Sequence, residues 1–154
     1  MKTRTIILAM LLCFVGTAVC FAADPQMGTW KLNEAKSKIS AGSPKNTTVV
    51  YEAAGDSVKV TVDGTDGDGK PMHHEWTGKY DGKDYPVTGD PSTDTRSYKK
   101  VNDQTLTFTN KKGDKATISG RGVVSADGKT RTVTLTGTDS KGTKFTSTAV
   151  YDKQ

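Results

Sequence analysis

Two histidines stand side by side in this chain, His73 and His74, with Glu75 directly after them. Imidazole and carboxylate groups bind transition metals and move protons near neutral pH, so this triplet is the first candidate for chemistry. The flanking residues read as a strand, where neighbouring side chains point to opposite faces. His73 and Glu75 then share one side and His74 takes the other. At most two ligands converge, whereas zinc takes three or four protein ligands, and the sequence holds no further histidine. The triplet is therefore read as a surface His73 beside Glu75, with His74 buried or at a rim, and no metal is expected.

Asp63, Asp66 and Asp68 lie in a glycine-rich stretch that invites comparison with a calcium loop. An EF-hand needs a glutamate at its twelfth place; counted from Asp63 that residue is His74, and counted from Asp66 it is Thr77. Hairpin turn chemistry accounts for the same aspartates, and a weak extracellular calcium site is the alternative. No Gly-x-Ser-x-Gly elbow is present, and the two histidines sit on a strand rather than at a strand-to-helix turn. Nothing selects a pair of carboxylates for glycoside chemistry, and the glycines precede strands, not the helix N-termini that cradle phosphate. Neither an enzyme nor a cofactor is expected.

The elements around these residues are strands. Segments 28–32, 47–54, 57–63, 72–80, 85–88, 95–101, 105–111, 115–125, 130–138 and 143–151 alternate or are rich in Thr and Val, separated by Asp-Gly and similar turns. Residues 33–46 read as a loop with one helical turn near 34–38, and Pro86 marks 85–88 as an edge or a strand start. Val60-Thr61-Val62-Asp63-Gly64-Thr65-Asp66 aligns without gaps on Val133-Thr134-Leu135-Thr136-Gly137-Thr138-Asp139. This is either a repeated meander or the ordinary likeness of two glycine-turn hairpins. A soluble sheet of hairpins must hide its edges, and closure does so. The expected fold is all-β, a single antiparallel up-and-down meander barrel of about 8–10 strands.

Lys2 and Arg4 precede an apolar run over 6–19 that is too short for a tilted membrane span, and Cys20-Phe21-Ala22 ends in a small residue. Residues 1–22 are thus expected to be a secretion signal cleaved after Ala22, and 23–154 one barrel domain, secreted or periplasmic and without stable membrane insertion. Both cysteines, Cys13 and Cys20, fall in the signal, so the mature chain carries no disulfide. Removing Lys2 and Arg4 from 22 basic residues leaves 20 against 17 acidic ones, a formal charge of +3. With lysines and aspartates interspersed, that surplus gives no footprint for nucleic acid.

Gly28-Thr29-Trp30 followed by Lys31-Leu32 resembles the Gly-x-Trp opening of lipocalins and the start of fatty-acid-binding proteins, and Ala149-Val150-Tyr151-Asp152-Lys153 is similar to the last strand of the latter. The pattern Gly-Thr-Trp-Lys-Leu-Asn with Tyr-Asp-Gly-Lys-Asp-Tyr-Pro is also similar to uncharacterised secreted bacterial proteins. The resemblance implies a calycin-like, lipocalin-like barrel. It departs from the fatty-acid-binding pattern where an Arg two residues before the final Tyr would hold a carboxylate, because Ala149 stands there. Residues 33–46 are too short for that family's helical lid. The lipocalin Arg that packs on the opening Trp has no counterpart on the last strand, although Arg121 and Arg131 lie nearby in sequence.

Alternation in a closed sheet puts Tyr51, Val58, Val60, Val62, Met72, His74, Trp76, Tyr80, Leu106, Phe108, Ile118, Val133, Leu135, Phe145 and Tyr151 inside, with Trp30 plugging one end. The candidate ligand-binding residues are Trp30, Tyr51, His74, Trp76, Tyr80, Phe108, Phe145 and Tyr151, with Arg131 as a further polar group. The expected function is that of a monomeric, exported, non-enzymatic protein binding a small hydrophobic or amphipathic ligand. The alternative is a filled barrel with a structural or protein-interaction role at the cell envelope.

Overall fold

The computed structural model describes residues 24–154; the expected signal segment lies outside them. Ten strands follow one another: β1 (Gly28–Leu32), β2 (Lys45–Ala54), β3 (Ser57–Thr65), β4 (Pro71–Gly78), β5 (Tyr85–Thr88), β6 (Thr95–Asn102), β7 (Thr105–Lys112), β8 (Lys115–Val124), β9 (Thr130–Thr138) and β10 (Lys144–Lys153). Each pairs antiparallel with its neighbours in sequence, and β1 closes the sheet onto β10. The protein is a closed ten-stranded up-and-down barrel, and it has no sheet edge to protect.

Alternation sorts the side chains as the turn pattern requires. Val60, Val62, Trp76, Leu106, Leu135 and Phe145 are buried, while Lys59, Glu75 and His73 on the same strands face out. His73 Nδ1 lies 2.6 Å from Asp63, and Glu75 pairs with Lys59 at 2.7 Å. Both pairs sit on the outer surface, and His74 is turned away from them into the barrel. Asp66 accepts from the backbone N–H groups of Asp68 and Lys70, both at 2.9 Å, which is turn chemistry. Asp139 bonds the backbone of Lys141 and Thr143 in the same way, and Gly69 and Gly142 take matching left-handed φ values of 81° and 83°. The two aligned sequence segments therefore build equivalent strand–turn units.

Two local expectations change. Segment 85–88 is not an edge: β5 is paired on both sides, by two residue pairs to each neighbour, because the closed ring has no edge for it to occupy. Pro86 fits there since the ladder takes its N–H from Val87, which donates to the Asp94 carbonyl. The fourth strand stops at Gly78 rather than 80. A Cβ on Gly78 would fall 2.5 Å from the Tyr85 ring and 2.6 Å from Trp76, so this close approach needs glycine.

The stretch 33–44 does more than connect. β1 is half as long as β10 and pairs only with its last three residues, Tyr151 to Lys153. After a single 3-10 turn, Glu34–Lys36, capped by Asn33, the chain runs beside the remainder of β10. Lys38 and Thr148 exchange backbone hydrogen bonds, Ser37 Oγ accepts from the Val150 N–H at 2.9 Å, and the Ser40 N–H donates to Ser147 Oγ at 3.0 Å. The loop thereby satisfies the part of β10 that β1 leaves unpaired and leads into the rim of the barrel.

Candidate functional site

An up-and-down barrel puts alternate connections at opposite ends, and here the ends are built differently. At one end the residues before β1 fold back as a turn, with the Met27 N–H bonded to the Asp24 carbonyl, and Gln26 is fully buried. The Trp30 indole donates to the Gln26 carbonyl at 2.9 Å. Trp76 donates its indole N–H to the Arg96 carbonyl at 2.8 Å and meets Tyr98 edge-on, ring centres 4.8 Å apart. Tyr80 and Tyr85 extend this aromatic cluster, at 5.9 Å from Tyr98 and 5.8 Å from Trp76. Buried aromatic rings in edge-to-face contact fill space and leave none for a ligand.

At the other end the loops β1–β2, β3–β4, β5–β6 and β9–β10 ring the mouth of a cavity of about 630 Å³ that runs into the barrel. Of the predicted site residues, the structure brings Trp30, Tyr51, His74, Phe108, Phe145 and Tyr151 together on its wall. Trp76 and Tyr80 point inward as expected but do not line it. β4 runs from the open end to the closed end, so Trp76 near its end and Tyr80 just beyond it sit too far down, inside the packed cluster. Alternation fixes the face of a residue; its height along the barrel axis depends on register, which no local pattern carries.

The wall also holds a polar group of residues that the sequence reading passed over. The Arg96 guanidinium donates through Nε to Asn110 Oδ1 at 2.6 Å, and its Nη2 lies 3.1 Å from His74 Nε2. Guanidinium only donates, so the imidazole accepts at Nε2 and carries its proton on Nδ1. Burial, with Arg96 adding its charge, holds the His74 pKa down to about 4, and the ring is neutral at pH 7. The signal for this group was parity: Arg96 shares a face with Tyr98, and Asn110 with Leu106 and Phe108.

Arg131, the polar candidate that alternation did suggest, lies directly opposite Tyr151 in the β9–β10 ladder and is 3 % exposed. Its guanidinium carbon stands 4.4 Å above the centre of the Tyr51 ring, a cation–π contact strengthened by the dry surroundings. A Cβ on Gly122 would come within 2.9 Å of Arg131 Nη2, so the bare backbone of β8 makes the seat for this side chain. Burial pushes the Tyr51 phenol well above its ordinary pKa even against the attraction of Arg131, and burial likewise raises Tyr151 to about 12. Both phenols are therefore neutral hydrogen-bonding groups at pH 7. The Trp30 ring is covered by Lys153, whose Nζ is 5.1 Å from the ring centre.

The arrangement can bind and orient a small molecule. Apolar rings supply contact area, and a few convergent donors from different strands fix its direction. Among the described residues no group of three or more His, Cys, Asp or Glu is placed to hold a metal ion.

No family model matches the chain, and no curated protein matches it. Among solved structures it is similar to a redesigned β-barrel, mFAP1, bound to DFHBI, with 17 % identity and a TM-score of 0.44 over 86 % of this chain and 98 % of that one. It is similar also to the redesigned β-barrel b11L5F_LGL, with 16 % identity and a TM-score of 0.43 over 88 % of this chain and 97 % of that one. Likenesses this distant say nothing of what this chain binds.

Proposed function

We propose that this protein is an exported carrier that takes up a small amphipathic molecule inside its barrel and releases it unchanged. The observation behind this reading is the cavity of about 630 Å³ at one end of the barrel, walled inside by aromatic and aliphatic side chains with His74, Arg96, Asn110 and Arg131 among them, and rimmed by polar and charged loop residues. That volume falls in the usual range for small-molecule sites, roughly 300–1,000 Å³. Export rests on the basic start, the short apolar run and the small residue at Ala22.

The test uses the mature chain and the uncharged dye N-phenyl-1-naphthylamine. Saturable, one-to-one binding with a change in tryptophan emission supports the reading, because Trp30 lies on the wall. Absence of saturable uptake, together with a bare mass in native mass spectrometry of protein purified from its own host, overturns it in favour of a structural or interaction module. Export is tested on the same preparation: mature protein that begins at Ala23 in the extracytoplasmic fraction supports it, and an uncut chain in the cytoplasm refutes it.

A further inference from the structure

Arg96 and Arg131 are 6 % and 3 % exposed, and neither has a carboxylate in ion-pair reach among the described residues, where every ion pair uses Lys or His. A buried lysine or histidine escapes such a position by losing its proton, but a guanidinium does not. The two charges therefore persist in the barrel wall without a counter-charge, an arrangement that proteins otherwise avoid. What surrounds them is neutral: His74 and Asn110 at Arg96, Tyr51 and Tyr151 at Arg131. Four acids stand at the rim of the cavity, Asp66, Asp68, Asp90 and Asp139; Asp90 bonds the Ser92 N–H at 2.9 Å and the Ser92 hydroxyl at 2.6 Å, and Asp66 and Asp139 accept from the backbone of their own turns.

Each guanidinium also has donors to spare. It carries five N–H groups; Arg96 commits Nε and Nη2, and Arg131 Nε is buried with no acceptor. Both side chains border the same cavity, yet they come from β6 and β9 and share no hydrogen-bonding partner. Bare Gly122 shows that the backbone accommodates Arg131 where it stands.

Resting on the reading of the cavity as a ligand site, we infer that the molecule it takes carries two negative charges, one balanced by Arg96 and the other by Arg131. The class is a dianionic amphiphile, with its apolar part against Tyr51, Phe108 and Phe145. Two sources have this chemistry, a chain with a carboxylate at each end and a chain with a single phosphate monoester.

The experiment is competition against bound N-phenyl-1-naphthylamine at pH 7.5 by dodecanol, dodecanoate, dodecanedioate and dodecyl phosphate. Each charge met by a guanidinium is expected to tighten binding by about tenfold to a hundredfold. Dodecanoate should therefore outcompete dodecanol, and one of the dianions should outcompete dodecanoate by a similar step. The better dianion tells whether the charges sit on one head group or at two ends. In Arg96→Met and in Arg131→Met the preference for the dianion over dodecanoate, measured within each variant, should disappear. The empty Arg131→Met protein should also melt higher than the unsubstituted one, since a lone buried charge has been replaced by an apolar side chain.

Arg131→Lys keeps the charge and serves if the Met variant does not fold; it should retain a reduced preference for the dianion. Dodecanol competing as well as both dianions refutes the inference while leaving the carrier reading intact. Equal competition by dodecanoate and the dianions refutes the second charge. If the dye itself never binds, the carrier reading fails and the inference falls with it.

Discussion

The closed and open ends of this barrel use the same strands and the same alternation for opposite purposes. At the closed end the rings of Trp76, Tyr98 and Tyr80 pack edge to face beside buried Leu106 and Val60, and the indole N–H groups are spent on backbone carbonyls, Trp76 on that of Arg96 and Trp30 on that of Gln26. At the open end rings, aliphatic side chains such as Val62 and Ile118, and cationic or amide groups share the inward positions around an empty volume. Packed core and open cavity are thus separated along the barrel axis. A strand such as β4 serves both, giving His74 to the cavity and Trp76 to the core two residues later.

Equal truncations at the two ends test that division most severely. Trp76→Ala removes a fully buried ring and its hydrogen bond, and should cost about 3–5 kcal/mol, a large part of the stability of a domain of this kind. Phe145→Ala removes a ring that already borders open space, so fewer contacts are lost and the cost should be clearly smaller. Urea unfolding of both variants measures the difference. Equal losses would mean that the cavity end is packed as tightly as the other.

The next effect separates the ends by pH. His74 has a folded pKa of about 4 against 6.5 for the free side chain, so below 6.5 the unfolded chain takes up the proton first. The contribution is fully present above pH 6.5 and is lost as the pH falls toward 4, where it amounts to about 3 kcal/mol. Unfolding free energies measured at pH 7.5 and pH 4.5 should show most of this loss, and His74→Gln should remove it. If the variant keeps the full pH slope, the charge-sensitive part of the molecule lies elsewhere.

The two ends were also unequally legible in the sequence. All ten strands could be read from alternation and turn residues, because both are local properties: Val58, Val60 and Val62 declare their face by period two, and Asp-Gly pairs declare the turns. The inward set was readable on every strand that carried several apolar residues of one parity. β6 carries Tyr98 on one parity and Val101 on the other, which leaves its face undeclared in a stretch of Thr, Arg, Ser and Lys, and Arg96 is unassigned for that reason. Asn110 lies within the strand expected over 105–111, and an amide there carries no apolar signal that marks it as inward. Gly120, Gly122 and Gly137 contribute to the site by lacking side chains beside Phe108, Arg131 and Phe145, a role that no pattern of residue types displays. Membership of the cavity or of the core is a matter of height, fixed by the register of pairings far apart in sequence, and so Trp76 and Trp30 looked alike until the barrel was closed.

The smallest expected effect concerns Trp30, a ring that, like Tyr98, belongs to both ends. Its indole is tied to the Gln26 carbonyl in the closing turn, while its edge reaches the cavity wall. Lys153 covers the ring with Nζ 5.1 Å from its centre, and that ammonium also lies 3.5 Å from the Pro25 carbonyl. A partly exposed cation over an indole contributes about 0.5–1 kcal/mol. Lys153→Met keeps most of the aliphatic stem and removes the charge, so the loss in stability should not exceed that figure. The cation lies on the strand that closes the barrel, where the Cα of Lys153 pairs with that of Trp30 itself, so its removal loosens the β1–β10 seam first. Hydrogen exchange at the backbone amides of β1 should quicken in this variant while the amides of β7 and β8 stay protected. A uniform rise across all strands would mean that the contact supports the whole barrel and that the ring does not divide one end from the other.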